Sequence, residues 1–325
     1  MGWYVGRRVL WAVFVTFVTL SITWGFLVLT PDPQAQQLAF QAAQQGGDVE
    51  AAQSAAESFS TCGGERSYLD CYATYMGNMA TLNWGWSDSR SQPVIQAILD
   101  AWPYSLMYAV PSILISTVLG LLIGFYSAVN QYTAKDNVAT FFAFFGYSIP
   151  NFWFGIVLLV VVGAWLELVP ILYDPNVPVF SVRNVQQNFL PVLVLTTGGM
   201  AGLMRYSRAQ ALEYVSAEFV KTARAKGADE NRILFRHILR PALAPLATIL
   251  VGDLLGILLA ASYLVEVVFG IPGLGQLGFN AIIAQDTALV LGTSLVPVFI
   301  AVIGNLLQDI AYTVLDPRID YDDRT

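Results

Sequence analysis

The chain has 325 residues, of which 56% are hydrophobic and 12% are charged, whereas about 25% are charged in an average soluble protein. This composition and a mean hydropathy of +0.57 exclude an ordinary water-soluble globule and a disordered chain. The net charge of −7 argues against nucleic acid as a partner, and two Cys with one His argue against a disulfide-rich scaffold, a cysteine-based metal cage and histidine-based chemistry.

Apolar runs long enough to cross a bilayer recur along the chain. A hydrocarbon core of ~30 Å needs about 20 helical residues, because each residue of a helix rises ~1.5 Å. Six such runs are present, over residues 9–30, 101–134, 137–166, 184–204, 241–265 and 287–308. Since unpaired backbone groups are too costly in lipid for open strands, we predict an all-α integral membrane protein with six transmembrane helices.

The orientation follows from the first run and from the basic residues. The first run is longer than a typical signal-peptide core and no small-residue cleavage site follows it, so we expect a retained helix. With the N-terminus inside, 13 of the 16 Lys and Arg residues fall in inner segments and three in outer ones. The positive-inside rule then predicts a plasma-membrane protein with both termini in the cytoplasm.

The predicted outer loop, residues 31–100, is acidic and contains no lysine. Eight Asp and Glu against two Arg suit a protein in high salt, where screening removes self-repulsion, and indicate a halophilic host; an ordinary acidic loop is the alternative. Cys62 and Cys71 stand nine residues apart on this oxidising side, so they form either a local disulfide or two free thiols.

The predicted inner loop 205–240 carries eight basic and four acidic residues and is typical of a helix–glycine–helix elbow. Gly227 stands where the first helix should end, with Arg224 and Lys226 in its last turn. Helical spacing places on one apolar face Val215, Phe219, Thr222 and Ala223.

A second helix is predicted after Gly227, with Asp229 able to cap its N-terminus and Pro241 marking the return to the membrane. Its expected apolar pairs are Leu234 with Ile238 and Phe235 with Leu239. A basic stripe consists of Arg232, Arg236 and Arg240. Such an elbow could rest on anionic headgroups or dock on a cytoplasmic partner, and these residues alone leave both possibilities open.

Seven short motifs follow one another along the chain. They are GWYVGRRVL (2–10), WGWSDSR (84–90), SIPNFW (148–153), FVKTARAKG (219–227), RHILRP (236–241), VFGIPGLG (268–275) and LDPRI (315–319). In sequence and in order they resemble the ABC-transporter permeases of the dipeptide, oligopeptide and nickel (DppB/OppB-type) family, and the resemblance covers nearly the whole chain.

The resemblance implies a type I ABC importer permease with a MetI-like bundle and an extracytoplasmic loop domain between helices 1 and 2. It divides the chain into a first helix with the outer loop (1–100), the permease bundle with its coupling loop 205–241 (101–315), and a cytoplasmic tail (316–325). The partners that it implies are a second homologous permease, two ATPase subunits and an extracytoplasmic substrate-binding protein, besides membrane lipid.

In such transporters the elbow fits a cleft on the ATPase. The resemblance assigns this coupling role to Phe219, Lys221, Thr222, Ala223, Arg224, Lys226, Gly227, Ala228, Asp229, Glu230, Arg236 and Pro241. The family's Glu-Ala-Ala is Lys221-Thr222-Ala223 here, a usual replacement in this branch. Because the chain has no phosphate-binding loop, we expect ATP and Mg to be used by partner subunits, and neither cofactor nor metal to be bound by this chain.

Two acidic residues lie in or next to the predicted fifth span. Asp253 stands about 18 Å along the helix from Pro241, past the middle of the bilayer, where a carboxylate must face a cavity or a protein neighbour. It could attract a peptide amine in the pathway or contact the paired subunit. Glu266 is predicted to be interfacial, and the glycine-rich segment 269–278 to be a re-entrant or outer loop that serves as a turn or an external gate.

Two other function classes fit less well. An intramembrane serine protease would need a His beside its nucleophile, and no predicted span contains one. An ion-coupled carrier working alone would be expected to show more buried charges and an internal repeat. Within the family, we expect di- and oligopeptides as substrates, with nickel or a sugar as the alternative.

Overall fold

The computed structural model describes residues 2–29, 40, 44, 62, 67–242 and 263–315. These residues are mainly helical and group into two compact units. The first unit holds the described residues up to Ala101 together with Leu277–Leu306, and the second holds those of Trp102–Gln276 and Leu307–Ile319. One boundary between the units lies between Ala101 and Trp102, and Leu277–Leu306 groups with the N-terminal part, which no sequence pattern indicated.

Two helices begin the first unit. Helix α1 (Gly2–Leu29) is an uninterrupted apolar helix. Helix α2 (Tyr68–Ala80) starts at Ser67, whose hydroxyl oxygen accepts a hydrogen bond from the Leu69 N–H at 3.3 Å and so satisfies one free donor of the first turn. A buried cluster consists of Leu20, Tyr75 and Leu295.

The segment before residue 94 is fixed by covalent and polar contacts. Cys71, buried on α2, is joined to Cys62 by a disulfide bond, with the two Cα atoms 5.6 Å apart. A two-stranded antiparallel hairpin follows, in which β1 (Trp86–Ser87) pairs with β2 (Gln92–Pro93). This hairpin leads directly into the next helix.

Helix α3 (Val94–Val129) begins seven residues before the second predicted span, 101–134, and ends five residues before the end of that span. The third predicted span, 137–166, is not one continuous helix. It consists of α4 (Ala134–Ser148) and α5 (Asn151–Leu158), the latter continuing as a π-helix over Leu159–Trp165, and the two parts are bent by 99°. Pro150 occupies the break because it lacks the N–H that a continuous helix requires.

Helix α6 (Val182–Val215) holds the fourth predicted span and continues 11 residues past its end. It packs so closely on α3 that a side chain at Gly124 would collide with the Ser207 hydroxyl and the backbone of α6. The Ser207 hydroxyl donates a hydrogen bond to the Gly120 carbonyl at 3.0 Å, which ties the two helices at the crossing.

Five further helices follow α6 in the described residues. They are α7 (Glu218–Ala225), α8 (Glu230–Arg232, continuing as a π-helix over Ile233–Leu239), α9 (Tyr263–Phe269), α10 (Leu274–Ile283) and α11 (Thr287–Leu315). Helices α9 and α10 are bent by 88° around the glycine-rich segment predicted as a loop.

Four helices of the described residues are long and apolar enough to cross a bilayer: Trp3–Leu29, Val94–Val129, Val182–Val215 and Thr287–Ile310. The two bent pairs raise the number to as many as six if each pair is one span. The predicted fifth span, 241–265, lies almost entirely outside the described residues. The multi-pass helical architecture is thus present, while the six predicted spans, as divided from the sequence, remain a prediction.

Candidate functional site

The elbow predicted from the sequence is present as two helices around a glycine turn. Its first helix, α7, buries Val220 and Ala223 and exposes Lys221 and Thr222. The Lys221 ammonium lies 2.7 Å from a carboxylate oxygen of Glu218, and this hydrogen bond lowers the pKa of the Glu218 carboxyl. The pair is fully exposed, so it adds little to stability, and the helix is held by its apolar face.

Gly227 ends α7 in the left-handed conformation, with φ of +75°. The Gly227 N–H donates to the Arg224 carbonyl at 2.9 Å, and the Ala228 N–H donates to the Ala223 carbonyl at 3.1 Å. These two bonds form a Schellman motif, which favours glycine because other side chains strain this backbone conformation. The arginine side chain at 224 also reaches Glu230 across the turn, at 3.5 Å.

The second helix differs in register from the prediction. Asp229 occupies the N-cap position with extended backbone, but its side chain makes no capping hydrogen bond. In the π-helical stretch Ile233–Leu239, the buried residues are Ile233 and Ile238, five positions apart. The predicted spacing of four was therefore wrong: Ile233 was missed, and Phe235 is 52% exposed.

The elbow packs against the C-terminal ends of two long helices. Phe125 and Ala128 of α3 and Ala211 of α6 form one buried cluster with the elbow's apolar face. The elbow residues of that cluster are Val220, Ile233, Ile238 and Ala242. Since these side chains belong to one buried cluster, the elbow is attached to α3 and α6 through its apolar face.

The surface of the elbow that faces away from this cluster is basic and partly apolar. This surface exposes six basic and three acidic side chains. The basic residues are Lys221, Arg224, Lys226, Arg232, Arg236 and Arg240, and the acidic residues are Glu218, Asp229 and Glu230. Two aromatic side chains, Phe219 and Phe235, are 48% and 52% exposed beside them. Of the other predicted coupling residues, Thr222 and Gly227 are exposed, Ala228 and Pro241 are half-buried and Ala223 is buried.

A buried ion pair that the sequence did not indicate lies next to the elbow. Asp136 of α4 is 3% exposed. Its carboxylate accepts hydrogen bonds from the Nη2 of Arg208 on α6 at 2.9 Å and from the backbone N–H of Tyr132 at 2.9 Å. The hydroxyl of Ser127 on α3 also donates to it. Three helices are therefore joined at one carboxylate.

A second buried carboxylate organises the glycine-rich segment. Glu266 of α9 was expected at the interface but is fully buried, because it accepts hydrogen bonds from the Tyr108 hydroxyl at 2.6 Å, the Ser105 hydroxyl at 2.7 Å and the Gln276 N–H at 2.9 Å. A Cβ at Gly273 would lie 2.5 Å from a Glu266 carboxylate oxygen. The glycine therefore allows the chain to fold around the acid.

A third carboxylate holds the β1–β2 hairpin within the first unit. Asp286 accepts hydrogen bonds from the Ser87 hydroxyl at 2.6 Å, from the Ser89 hydroxyl at 2.7 Å and from the Leu289 N–H at 3.1 Å, where it caps α11. Burial acts to raise the pKa of Asp286, but these hydrogen bonds outweigh it and lower the pKa below its ordinary value. The contact joins the WGWSDSR motif to the start of the last long helix.

Two predicted features cannot be placed. Asp253 and the LDPRI segment beyond Leu315 lie outside the described residues. Within the residues that the structure describes, no group of three or more His, Cys, Asp or Glu could hold a metal ion.

Comparison with known proteins identifies the family to which this helical chain belongs. Residues 120–321 match the family described as "Binding-protein-dependent transport system inner membrane component". The chain is 35% identical to the oligopeptide transport system permease protein AppB of Bacillus subtilis, over 77% of this chain and 80% of that one. It is 33% identical to the dipeptide transport system permease protein DppB of Lactococcus lactis, over 76% and 79% of the two chains.

The fold is also similar to a solved structure. A chain of the MetNI methionine ABC transporter superposes with a TM-score of 0.51 at 17% identity, covering 68% of this chain and 97% of that one. The expected resemblance to ABC-transporter permeases is thus confirmed by the family match and by the relatives. The chain belongs to the family of binding-protein-dependent transport system inner membrane components.

Proposed function

We propose that this chain is the permease subunit of an ATP-driven importer of di- and oligopeptides in the plasma membrane, with both termini in the cytoplasm. The relatives named as oligopeptide and dipeptide transport permeases support peptides as the substrate class. The excess of basic residues in the predicted inner segments supports the orientation.

The elbow is the part that couples the permease to its energy source. Large apolar side chains that remain exposed on a rigid, basic surface are typical of a docking site. Phe219 and Phe235 have this exposure, and the elbow beneath them is packed on α3 and α6. An ATPase subunit that binds both rings can therefore move two membrane helices.

The remaining partners follow from this role. The importer contains a second homologous permease, two ATPase subunits that use ATP and Mg, and an extracytoplasmic binding protein that delivers the peptide. Asp253 is the candidate pathway residue of this chain, where a carboxylate would attract the peptide's amino group.

The test is peptide uptake by proteoliposomes that contain the full chain and its partner subunits. Uptake is expected only with hydrolysable ATP. In Phe235→Ser, the chain should still insert, but its affinity for the ATPase subunit should fall about thirtyfold, since loss of an aromatic anchor costs ~2 kcal/mol or more.

A matched control is Phe180→Ser, because Phe180 is also an exposed phenylalanine but lies in the predicted outer segment. This variant should retain the ATPase subunit and normal uptake. Uptake by the chain alone without nucleotide, or an unchanged ATPase complex in Phe235→Ser, would contradict the proposed function.

A further inference from the structure

A cavity of about 100 Å³ lies between α4 and α6 in the second unit, close to the elbow. Arg205 and Arg208 line it on one side and Phe144 and Tyr147 on the other. Gly202 leaves part of its wall open, because a Cβ built there would meet nothing within 4 Å. The cavity therefore combines positive charge, aromatic surface and free space.

Arg205 supplies the uncompensated charge of the cavity. Arg208 is neutralised by Asp136, but no carboxylate of the described residues forms an ion pair with Arg205. Its guanidinium carbon lies 5.8 Å from the ring centre of Tyr147 and 5.9 Å from that of Tyr206, so the side chain is positioned by aromatic rings. An anionic group is the expected ligand, because a guanidinium can form two parallel hydrogen bonds with a phosphate.

The depth of the cavity favours a lipid over a soluble anion. Arg205 is the first charged residue after the uncharged run 184–204, which at ~1.5 Å per residue is about as long as the bilayer core is thick. Arg205 therefore lies at headgroup level, on the cytoplasmic side in the orientation proposed above.

The neighbouring helix face suits acyl chains. Phe141, Phe144 and Phe145 of α4 are exposed, and the rings of Phe141 and Phe145 stack with their centres 6.1 Å apart. A phosphate at Arg205 and hydrocarbon chains along these rings would belong to a single ligand.

We propose that the cavity at Arg205, Tyr147 and Gly202 binds the phosphate group of an anionic phospholipid, with its acyl chains on the phenylalanine face of α4. A lipid held there lies beside the Asp136–Arg208 pair, where α4 and α6 meet close to the elbow.

The experiment measures lipid retained by the complete transporter. The complex is purified in detergent, incubated with phosphatidylglycerol or phosphatidylcholine, and analysed by native mass spectrometry. Wild type should retain phosphatidylglycerol in preference to phosphatidylcholine. Arg205→Gln should bind it about fivefold more weakly, since one cation near the headgroups contributes that factor.

A second variant tests the cavity without changing its charge. Gly202→Leu fills the open space within a helix and should also lower phosphatidylglycerol retention severalfold. The matched controls are Arg183→Gln, at the opposite end of α6, and Gly25→Leu, a helical glycine with equal free space. Both should retain lipid as wild type does.

Several outcomes would overturn the proposal. Equal retention of both lipids by wild type, or unchanged retention in Gly202→Leu and in Arg205→Gln, would remove the site. Displacement by inorganic phosphate would make it a site for a free anion, and displacement by peptide would place it in the translocation pathway. The comparison of lipid retention between wild type and variants needs neither ATP nor peptide, so its failure would leave the proposed transport function untouched.

Discussion

The Nη2 atom of Arg208 lies 2.9 Å from the Oδ2 atom of Asp136, and this pair fastens α4 to α6 close to the elbow. The Asp136 side chain is almost fully buried, and the Arg208 side chain is 28% exposed. Because Ser127 and the Tyr132 N–H also donate to Asp136, the carboxylate has several hydrogen-bond donors, which a buried charge requires.

The first prediction concerns the removal of one member of this pair. Arg208→Met should destabilise the permease by about 3 kcal/mol, because it leaves an uncompensated buried carboxylate. Asp136→Asn should cost less, and the double variant less than the sum of the two. Thermal unfolding of the purified complex measures how much stability each variant loses. The control is Lys221→Met, which removes an exposed ion pair and should cause no measurable change; an equal loss there would contradict the prediction.

The second prediction concerns the turn at Gly227. Gly227→Val should abolish peptide uptake with normal membrane insertion, because a β-branched residue is strained at φ of +75° although space is free around it. Gly227→Asn should retain much of the uptake, since asparagine tolerates this conformation. The control is Gly77→Ala, at a helical glycine with equal space. Equal uptake by the valine and asparagine variants would show that the turn conformation is unimportant.

The third prediction concerns Glu266. Tyr108→Phe removes a hydrogen bond to this buried carboxyl group and should lower stability by about 1.5–3 kcal/mol. Tyr104→Phe is the control, because Tyr104 lies one turn earlier on α3 and its hydroxyl is not bonded to Glu266. Thermal unfolding and protease protection of residues 263–283 measure the effect. Identical behaviour of the two tyrosine variants would refute the role of the carboxyl network.

The fourth prediction is a pH dependence at Asp286. Its lowered pKa means that the ionised carboxylate stabilises the hairpin at pH values above the ordinary aspartate pKa of about 3.9, and that this contribution is lost as pH falls through the lowered value. Hydrogen exchange of residues 87–91, corrected for intrinsic rates, should therefore rise in that acidic range. In Asp286→Asn the exchange should be fast at all pH values, whereas Asp70→Asn, on α2 outside the hairpin, should behave as wild type; protection independent of pH in wild type would exclude the effect.

Local features of the elbow could be predicted from the sequence because they depend on neighbouring residues. Gly227 and the two helices beside it follow from short-range spacing and backbone preference. The register of the second helix could not be predicted, because a π-helix places Ile233 and Ile238 five residues apart.

Contacts between distant segments could not be predicted. Glu266 is buried because Tyr108, 158 residues away in sequence, and Ser105 supply its hydrogen bonds. The 99° bend at Pro150 depends on what packs against α5, such as Phe269 against Gly155. A single sequence shows the apolar run and not its neighbours.

The close crossing of α3 and α6 at Gly124 has a mechanical consequence. Sliding of one helix along the other would break the Ser207–Gly120 hydrogen bond and the close backbone contact at Gly124. A force applied to the elbow is therefore expected to tilt the two helices together. Helix α3 has 36 residues and is about 54 Å long. A small rotation at its C-terminal end, beside the elbow, therefore displaces its N-terminal end by several ångströms without any helix unwinding.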